Sequence, residues 1–150
     1  MELLDNYENE AELVFDSVSR NEGFARMVAA VFTAQLNPTI EELNDVKTAV
    51  SEAVTNCIIH GYPNIKGKIK MTLRLKKRQL EVTIEDEGVG IVDIEKAMEP
   101  LYTTRPDMER SGMGFAFMEA FMNDLKVESE PGHGTKVFLR KIFSDNPDSE

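Results

Sequence analysis

The chain has 150 residues, a formal net charge of −10 and a hydrophobic content of 41%, which fit one compact domain with a substantial core. Its apolar runs are too short for a membrane span, and its acidic start, MELLDNYENEAE, lacks the pattern of a secretory signal. The negative charge argues against direct binding of nucleic acid. A single cysteine allows neither an internal disulfide nor a multi-thiolate metal site, so we expect a cytoplasmic protein.

The first half of the chain predicts one strand and two helices. AELVFDSVSR has an apolar centre and is interpreted as a strand. Residues 21–36 predict a helix whose apolar face carries Phe24, Val28, Val31 and Phe32. Thr39 and Glu42 have the spacing of a capping box, and the apolar stripe that follows predicts a second helix running almost to HGYP.

The second half predicts two hairpins with helices between them. KIKMTLRL and QLEVTIED alternate apolar and polar residues around the charged KKRQ, and LKVESE with GTKVFLRK forms a similar pair. Helices are expected over residues 93–98 and 115–125. Because βαβ alternation is absent, we predict an α+β fold, a two-layer sandwich with helices on one face of a mixed, mostly antiparallel sheet. The whole chain, 1–150, is expected to be one domain with its core at about 12–142.

The stretch EDEGVGI ends a predicted strand on a carboxylate. Leu80, Val82 and Ile84 face the core, and Asp86 is next in that series. An inward carboxylate is costly unless it is hydrogen-bonded. It is either a turn residue that caps its own backbone or an acceptor for the amino group of a purine, beside two glycines that permit close approach.

Three further motifs carry candidate chemistry. Glu52 and Asn56 lie one helical turn apart in EAVTNCIIHGY, where an amide oxygen suits Mg²⁺ beside phosphates and a carboxylate suits a general base. RSGMGF offers backbone N–H groups at a helix start, a natural phosphate cradle, next to two arginines. Thr135 in GHGTKV is in phase with the inward-facing residues of its strand. Each motif has an ordinary structural explanation when taken alone.

Together, in this order, the four motifs resemble the Bergerat ATP-binding fold, the family that includes gyrase, the Hsp90 chaperone, histidine kinases and MutL. EAVTNCIIHGY is similar to its N box, DEGVGI to its first glycine box, RSGMGF to its second, and the GT at 134–135 to its closing turn. The resemblance covers about residues 20–142 and implies ATP or ADP with Mg²⁺ as ligands.

The resemblance implies roles for particular residues. Asp86 would bind the adenine amino group, and Gly88 and Gly90 would let the nucleotide approach. Asn56 would bind Mg²⁺, and Glu52 would be the general base.

The same resemblance implies that other residues bind the nucleotide. Arg110 would contact the γ-phosphate as a catalytic residue, and Thr135 would support the adenine site. The remaining nucleotide contacts would come from Thr103, Thr104, Arg105, Gly112, Met113 and Gly114. Residues 99–112 would form a lid whose order depends on the nucleotide.

Within the family, VSEAVTNCIIHGY, SRNEGFAR and PLYTTRPDMERSGMGF are similar to the anti-sigma factors of endospore-forming bacteria, and most to the branch that restrains sigma-F. This implies a homodimer that binds a sigma-F-like sigma factor. It also implies a serine-protein kinase that phosphorylates an anti-anti-sigma partner with ATP. Arg20 would contact protein partners.

Two alternatives stay open at this point. One is the stress-response branch that restrains sigma-B. The other is a binding module in which nucleotide gates partner affinity and no phosphate is transferred. The presence of both Glu52 and Asn56 favours catalysis, because a pure binder needs adenine contacts more than it needs a base.

Overall fold

The computed structural model describes residues 2–99 and 114–145. The five described strands are β1 (Asn9–Asp16), β2 (Lys68–Lys76), β3 (Gln79–Asp86), β4 (Asp124–Ser129) and β5 (Thr135–Ile142). The described helices are α1 (Asn21–Thr33), α2 (Ile40–Asn56), α3 (Ile94–Ala97) and α4 (Gly114–Phe121). A 3₁₀ turn, Ala34–Leu36, follows α1, and a π-helical turn, Cys57–Gly61, follows α2. The predicted α+β fold and both predicted hairpins are confirmed.

The strands form one sheet in the order β1-β2-β3-β5-β4. Each of the four pairings between these strands is antiparallel, so the described sheet lacks the parallel pair that a mixed sheet would contain. β3 lies in the middle, and its last residue, Asp86, is opposite Ile69 of β2 and Thr135 of β5. The end of the central strand therefore sets the position of Asp86 against both neighbours.

One face of the sheet forms the core with the helices. The fully buried strand side chains on this face include Ile69, Met71, Leu73, Leu80, Val82, Ile84 and Leu139. α2 supplies the facing layer with Val46, Ala49, Val50, Ala53 and Val54, each of them fully buried. This packing holds the C-terminal end of α2 beside the end of β3, so that two of the predicted motifs meet there.

The predicted apolar face of α1 is only partly right. Phe32 is buried, but Phe24 is 51% exposed and Val31 is 69% exposed. Ala25 and Ala29 are fully buried instead, because small side chains allow two helix backbones to pack closely. The larger apolar residues are therefore left on the surface of α1.

The boundaries of α2 and α4 follow from local chemistry. Thr39 Oγ1 accepts from the Glu42 N–H at 3.1 Å, and Glu42 Oε1 accepts from the Thr39 N–H at 2.9 Å, so the predicted capping box is confirmed. The helix predicted over 115–125 ends earlier, at Phe121, because Asp124 already pairs with Arg140 in the sheet.

No helix in the described ranges is long and apolar enough to cross a bilayer.

The opposite face of the sheet carries a row of alternating charges that crosses all five strands. In the strand register, Glu10 faces Arg74, Arg74 faces Glu81, Glu81 faces Arg140, and Arg140 faces Asp124. Glu81 is only 2% exposed, and its Oε2 accepts a hydrogen bond of 2.8 Å from the N–H of Leu4. The segment before β1 therefore folds back over this face.

Replacement of the α2 cap tests how much local capping contributes. Thr39→Ala removes one hydrogen-bond acceptor from the start of the helix and should lower the free energy of unfolding by about 1 kcal/mol, measured by urea denaturation. Thr48→Ala, inside the same helix, is the matched control and should cost nothing because alanine has the higher helix propensity. Equal losses in the two variants would contradict a specific capping contribution.

Candidate functional site

A cavity of about 640 Å³ lies where the end of α2, the end of β3, α3 and the start of α4 converge. Its size is that of a small-molecule site. Five residues predicted from four separate motifs line it, namely Asn56, Asp86, Gly90, Gly114 and Thr135. The fold thus brings together positions that are up to 79 residues apart in the sequence.

The Asp86 carboxyl is a buried polar group in the lining of this cavity. It is 6% exposed, and its Oδ1 accepts a hydrogen bond of 2.9 Å from the Gly88 N–H. Burial raises the pKa of Asp86, and hydrogen bonds from the Gly88 N–H, the Cys57 thiol and the Thr135 N–H oppose that rise. Burial and the nearby Asp86 charge also raise the pKa of Cys57 well above its usual value, so its thiol keeps the proton that it donates. The turn interpretation and the acceptor interpretation of Asp86 are therefore compatible.

The glycines around Asp86 let neighbouring backbones pack closely. A Cβ on Gly88 would lie 1.9 Å from Gly61 O, and one on Gly134 would lie 2.1 Å from Asp86 O. A Cβ on Gly61 would itself come within 2.8 Å of the Asp86 carboxylate. Gly90 lines the cavity, but Gly88 is not among its lining residues. Gly88 therefore has a packing role against Gly61, and its predicted role in nucleotide approach stays a prediction.

Ser129, which the sequence did not single out, joins two loops beside the cavity through hydrogen bonds. Its Oγ accepts from the Ile91 N–H at 2.8 Å and donates to Gly134 O at 2.8 Å. The same oxygen lies 2.8 Å from Thr135 Oγ1. A serine at the end of a strand carries no distinctive sequence signal, because its partners come from two separate loops.

The walls of the cavity are mostly apolar. Ile59, Ile91, Val137 and Phe115 belong to this lining. Apolar walls around a buried carboxylate suit an apolar ring that carries a hydrogen-bond donor on its edge.

Glu52 lies outside the lining of this cavity. It borders a smaller groove of about 270 Å³ between α1 and α2, which is lined by Arg26, Asn44, Lys47, Thr48, Ser51 and Glu52. Asn56, one helical turn further along α2, lines the main cavity. The two residues expected to act together thus border adjacent spaces.

The donor set of the cavity fits a magnesium ion held mainly by a ligand's phosphates. Among residues 2–99 and 114–145, no cluster of three or more His, Cys, Asp or Glu side chains could hold a metal. Mg²⁺ commonly uses one or two protein oxygens together with waters and phosphate oxygens. The amide oxygen of Asn56, which lines the cavity, is a suitable donor of this kind.

Several predicted site residues lie outside the described residues. These are Thr103, Thr104, Arg105, Arg110, Gly112 and Met113, together with the expected lid apart from Glu99. Arg20 is described, and it is exposed immediately before the first residue of α1.

Comparisons with known proteins find similarity over most of the chain. The family model of the histidine kinase-like ATPase domain matches residues 18–141. An anti-sigma F factor of Clostridium acetobutylicum is 57% identical over 137 residues, which cover 91% of this chain and 96% of the relative. An anti-sigma F factor of a Thermoanaerobacter species is 58% identical over 140 residues, covering 93% and 98%.

A solved structure shares the fold at lower sequence similarity. It contains the RsbU and RsbW domains of a Mycobacterium tuberculosis protein and superposes with a TM-score of 0.67 at 18% identity. The similarity covers 92% of this chain but only 33% of that one. At this identity the likeness concerns the fold alone.

Two glycines of one turn provide a matched test of the close packing. Gly132 and Gly134 have φ values of 80° and 81°, but a Cβ on Gly132 would meet nothing within 4 Å. Gly132→Ala should therefore cost about 1 kcal/mol of conformational strain, and Gly134→Ala more than about 3 kcal/mol because its Cβ overlaps the backbone of Asp86. Urea denaturation measures both. Equal costs would contradict the packing role.

Asp86→Asn separates the ligand role of this carboxyl from its effect on folding. Because burial raises the pKa of Asp86 in the folded chain, its stabilising contribution is present at low pH and is lost as pH rises through that raised pKa. The variant should therefore be at least as stable as the wild type at pH 7. It should bind ATP about ten- to a hundredfold more weakly, since the purine amino group loses its charged acceptor and meets a neutral amide instead.

Calorimetric titration and thermal denaturation check the two halves of this prediction. Wild-type ATP affinity should also fall with falling pH as Asp86 takes up its proton. An Asp86→Asn chain that binds ATP as tightly as the wild type would contradict an acceptor role for this carboxylate.

Proposed function

We propose a function from the premise that this chain belongs to the histidine kinase-like ATPase domain family, within its anti-sigma F factor branch. The protein would bind a sigma-F-like sigma factor and inhibit it. It would also use ATP to phosphorylate a serine of an anti-anti-sigma protein. The observation that carries the nucleotide part is the buried Asp86 carboxylate in an otherwise largely apolar cavity.

The nucleotide would lie with its adenine in the cavity of about 640 Å³. The 6-amino group would donate to the Asp86 carboxylate, and the apolar walls would cover the faces of the ring. The phosphates would extend toward Asn56 and toward Gly114, at the N-terminal end of the described part of α4, because the start of a helix favours anions. A magnesium ion bound with the phosphates would neutralise charge that develops during transfer.

The groove beside Glu52 supports a role for this residue toward a protein substrate. It opens between α1 and α2 and is bordered by Arg26, Lys47 and Ser51. A serine entering from this side would lose its hydroxyl proton to the Glu52 carboxylate while its oxygen attacks the γ-phosphorus. The bond between that phosphorus and the β–γ bridging oxygen would break, and ADP would leave. The separation of Glu52 from the adenine cavity suits a substrate that arrives separately from ATP.

The surface of α1 supports binding of a protein partner. Phe24, Met27 and Val31 lie at spacings of three and four residues and are 51%, 50% and 69% exposed, so they form one apolar stripe on the helix. Arg20 is exposed directly before this helix. An apolar stripe beside an arginine is typical of an interface, and we propose it as the surface for the sigma factor. We also propose that the protein acts as a homodimer, as the family resemblance implies.

A nucleotide-gated binding module is the second candidate. It is favoured by one observation, the absence of Glu52 from the lining of the adenine cavity. In that case the protein would bind the sigma factor in a nucleotide-dependent way and transfer no phosphate. The relatives named anti-sigma F factor favour sigma-F over the sigma-B alternative as the partner in either case.

Glu52→Gln decides between the two candidates. The chain is incubated with γ-labelled ATP, Mg²⁺ and a purified anti-anti-sigma protein, and label on serine is measured. The variant should lose at least about a hundredfold in transfer rate, because glutamine cannot accept the proton, while ATP affinity and capture of sigma-F stay unchanged. Glu128→Gln, on the sheet face that carries the row of charges, is the control and should transfer phosphate at the wild-type rate. Phosphate transfer that survives in Glu52→Gln would contradict the role of Glu52 as the base. If the wild type transfers no phosphate, the nucleotide-gated binding module is the candidate that remains.

A further inference from the structure

The hydroxyl of Tyr62 joins two backbone groups directly beside Asp86. Tyr62 is 6% exposed. Its Oη donates to Lys68 O at 2.7 Å and accepts from the Glu87 N–H at 2.7 Å. Burial raises the pKa of Tyr62, so the hydroxyl keeps its proton and bridges both groups at neutral pH.

The hydrogen-bonded bridge through the Tyr62 hydroxyl lies where the pairing of β2 with β3 ends. The last pair of that register is Ile69 with Asp86, and one further step would place Lys68 opposite Glu87. The phenol oxygen contacts one backbone group of each of these two residues. It therefore replaces a direct strand contact and holds the chain where β3 ends and the loop containing Gly88 and Gly90 begins.

The ring of Tyr62 rests against a fixed backbone. A Cβ on Gly67 would lie 2.3 Å from the Tyr62 ring, so only glycine leaves room for it. Gly67 is itself tied to the end of β1, because its N–H donates to Ser17 Oγ and its carbonyl accepts from the Ser17 N–H, both at 2.9 Å. The position of the phenol oxygen is thus set by the sheet.

We propose that Tyr62 is a positioning residue for nucleotide selection, which it performs by fixing the Glu87 backbone and with it the direction of the Asp86 carboxylate. This inference rests on the proposed function, in which Asp86 accepts from the purine 6-amino group. Asp86 is held on its other side by the Gly88 N–H and the Cys57 thiol. Without the Tyr62 hydroxyl, the Glu87 N–H loses its hydrogen-bond acceptor. The Asp86 carboxylate is then held less firmly in the direction of the purine 6-amino group.

Two nucleotides separate this role from general support of the fold. Binding of ATP and of purine riboside triphosphate, which lacks the 6-amino group, is measured by calorimetry for the wild type, Tyr62→Phe and Tyr7→Phe. Tyr62→Phe keeps the ring on Gly67 and removes only the hydroxyl. Tyr7→Phe removes a phenol hydroxyl from a side chain that packs on Arg74, far along the chain from the cavity residues.

Tyr62→Phe should weaken ATP binding roughly two- to tenfold, the effect of one hydrogen bond, and leave purine riboside triphosphate binding unchanged. Tyr7→Phe should alter neither. The ratio of the two affinities is insensitive to partial unfolding, because loss of folded chain lowers both equally. An equal loss for both nucleotides, or an unchanged ratio, would overturn the inference while leaving the proposed function intact. A wild type that shows no preference for ATP would overturn both.

Hydrogen exchange of the wild-type chain gives a measurement that needs no variant. The Glu87 amide should exchange slowly in the absence of nucleotide, because it donates to the buried phenol. Exchange at the rate of an open loop amide would contradict the bridge.

Discussion

The burial of one carboxylate governs the arrangement of this site. Asp86 ends the central strand on its apolar side, and its burial opposes ionisation. An ionised group in such a position is stable only when donors surround it. The Gly88 N–H, the Thr135 N–H and the Cys57 thiol supply them within the fold, and one edge of the carboxylate remains at the cavity. That edge is what a ligand's amino group would meet.

Placing donors from three segments around one side chain requires backbones to approach within van der Waals contact. Gly61, Gly88 and Gly134 meet this requirement, because a Cβ on any of them would overlap Asp86 or a neighbouring backbone. Tyr62 and Ser129 both bind the loop that follows β3, and Ser129 also binds the loop between β4 and β5. Gly88 of the first glycine box thus packs beside the acceptor, whereas Gly90 and Gly114, the other described glycines of the two boxes, line the space for a ligand.

The features predicted correctly from sequence are those with a local cause. Strand alternation predicted the inward direction of Asp86, and the spacing of Thr39 and Glu42 predicted the capping box, because each depends on neighbours a few residues away. The features missed depend on distant contacts. The burial of Ala25 in place of Phe24 depends on packing against α2, the Tyr62 bridge on residues 68 and 87, and the groove position of Glu52 on α1. Periodicity carries no information on such contacts.

A crystal structure of the chain with ADP and Mg²⁺ would test the central claim most directly. We expect the adenine in the cavity bordered by Asn56 and Thr135, with its 6-amino nitrogen within hydrogen-bond distance of the Asp86 carboxylate. Adenine bound elsewhere, or seated in the cavity with its amino group turned away from Asp86, would contradict the account.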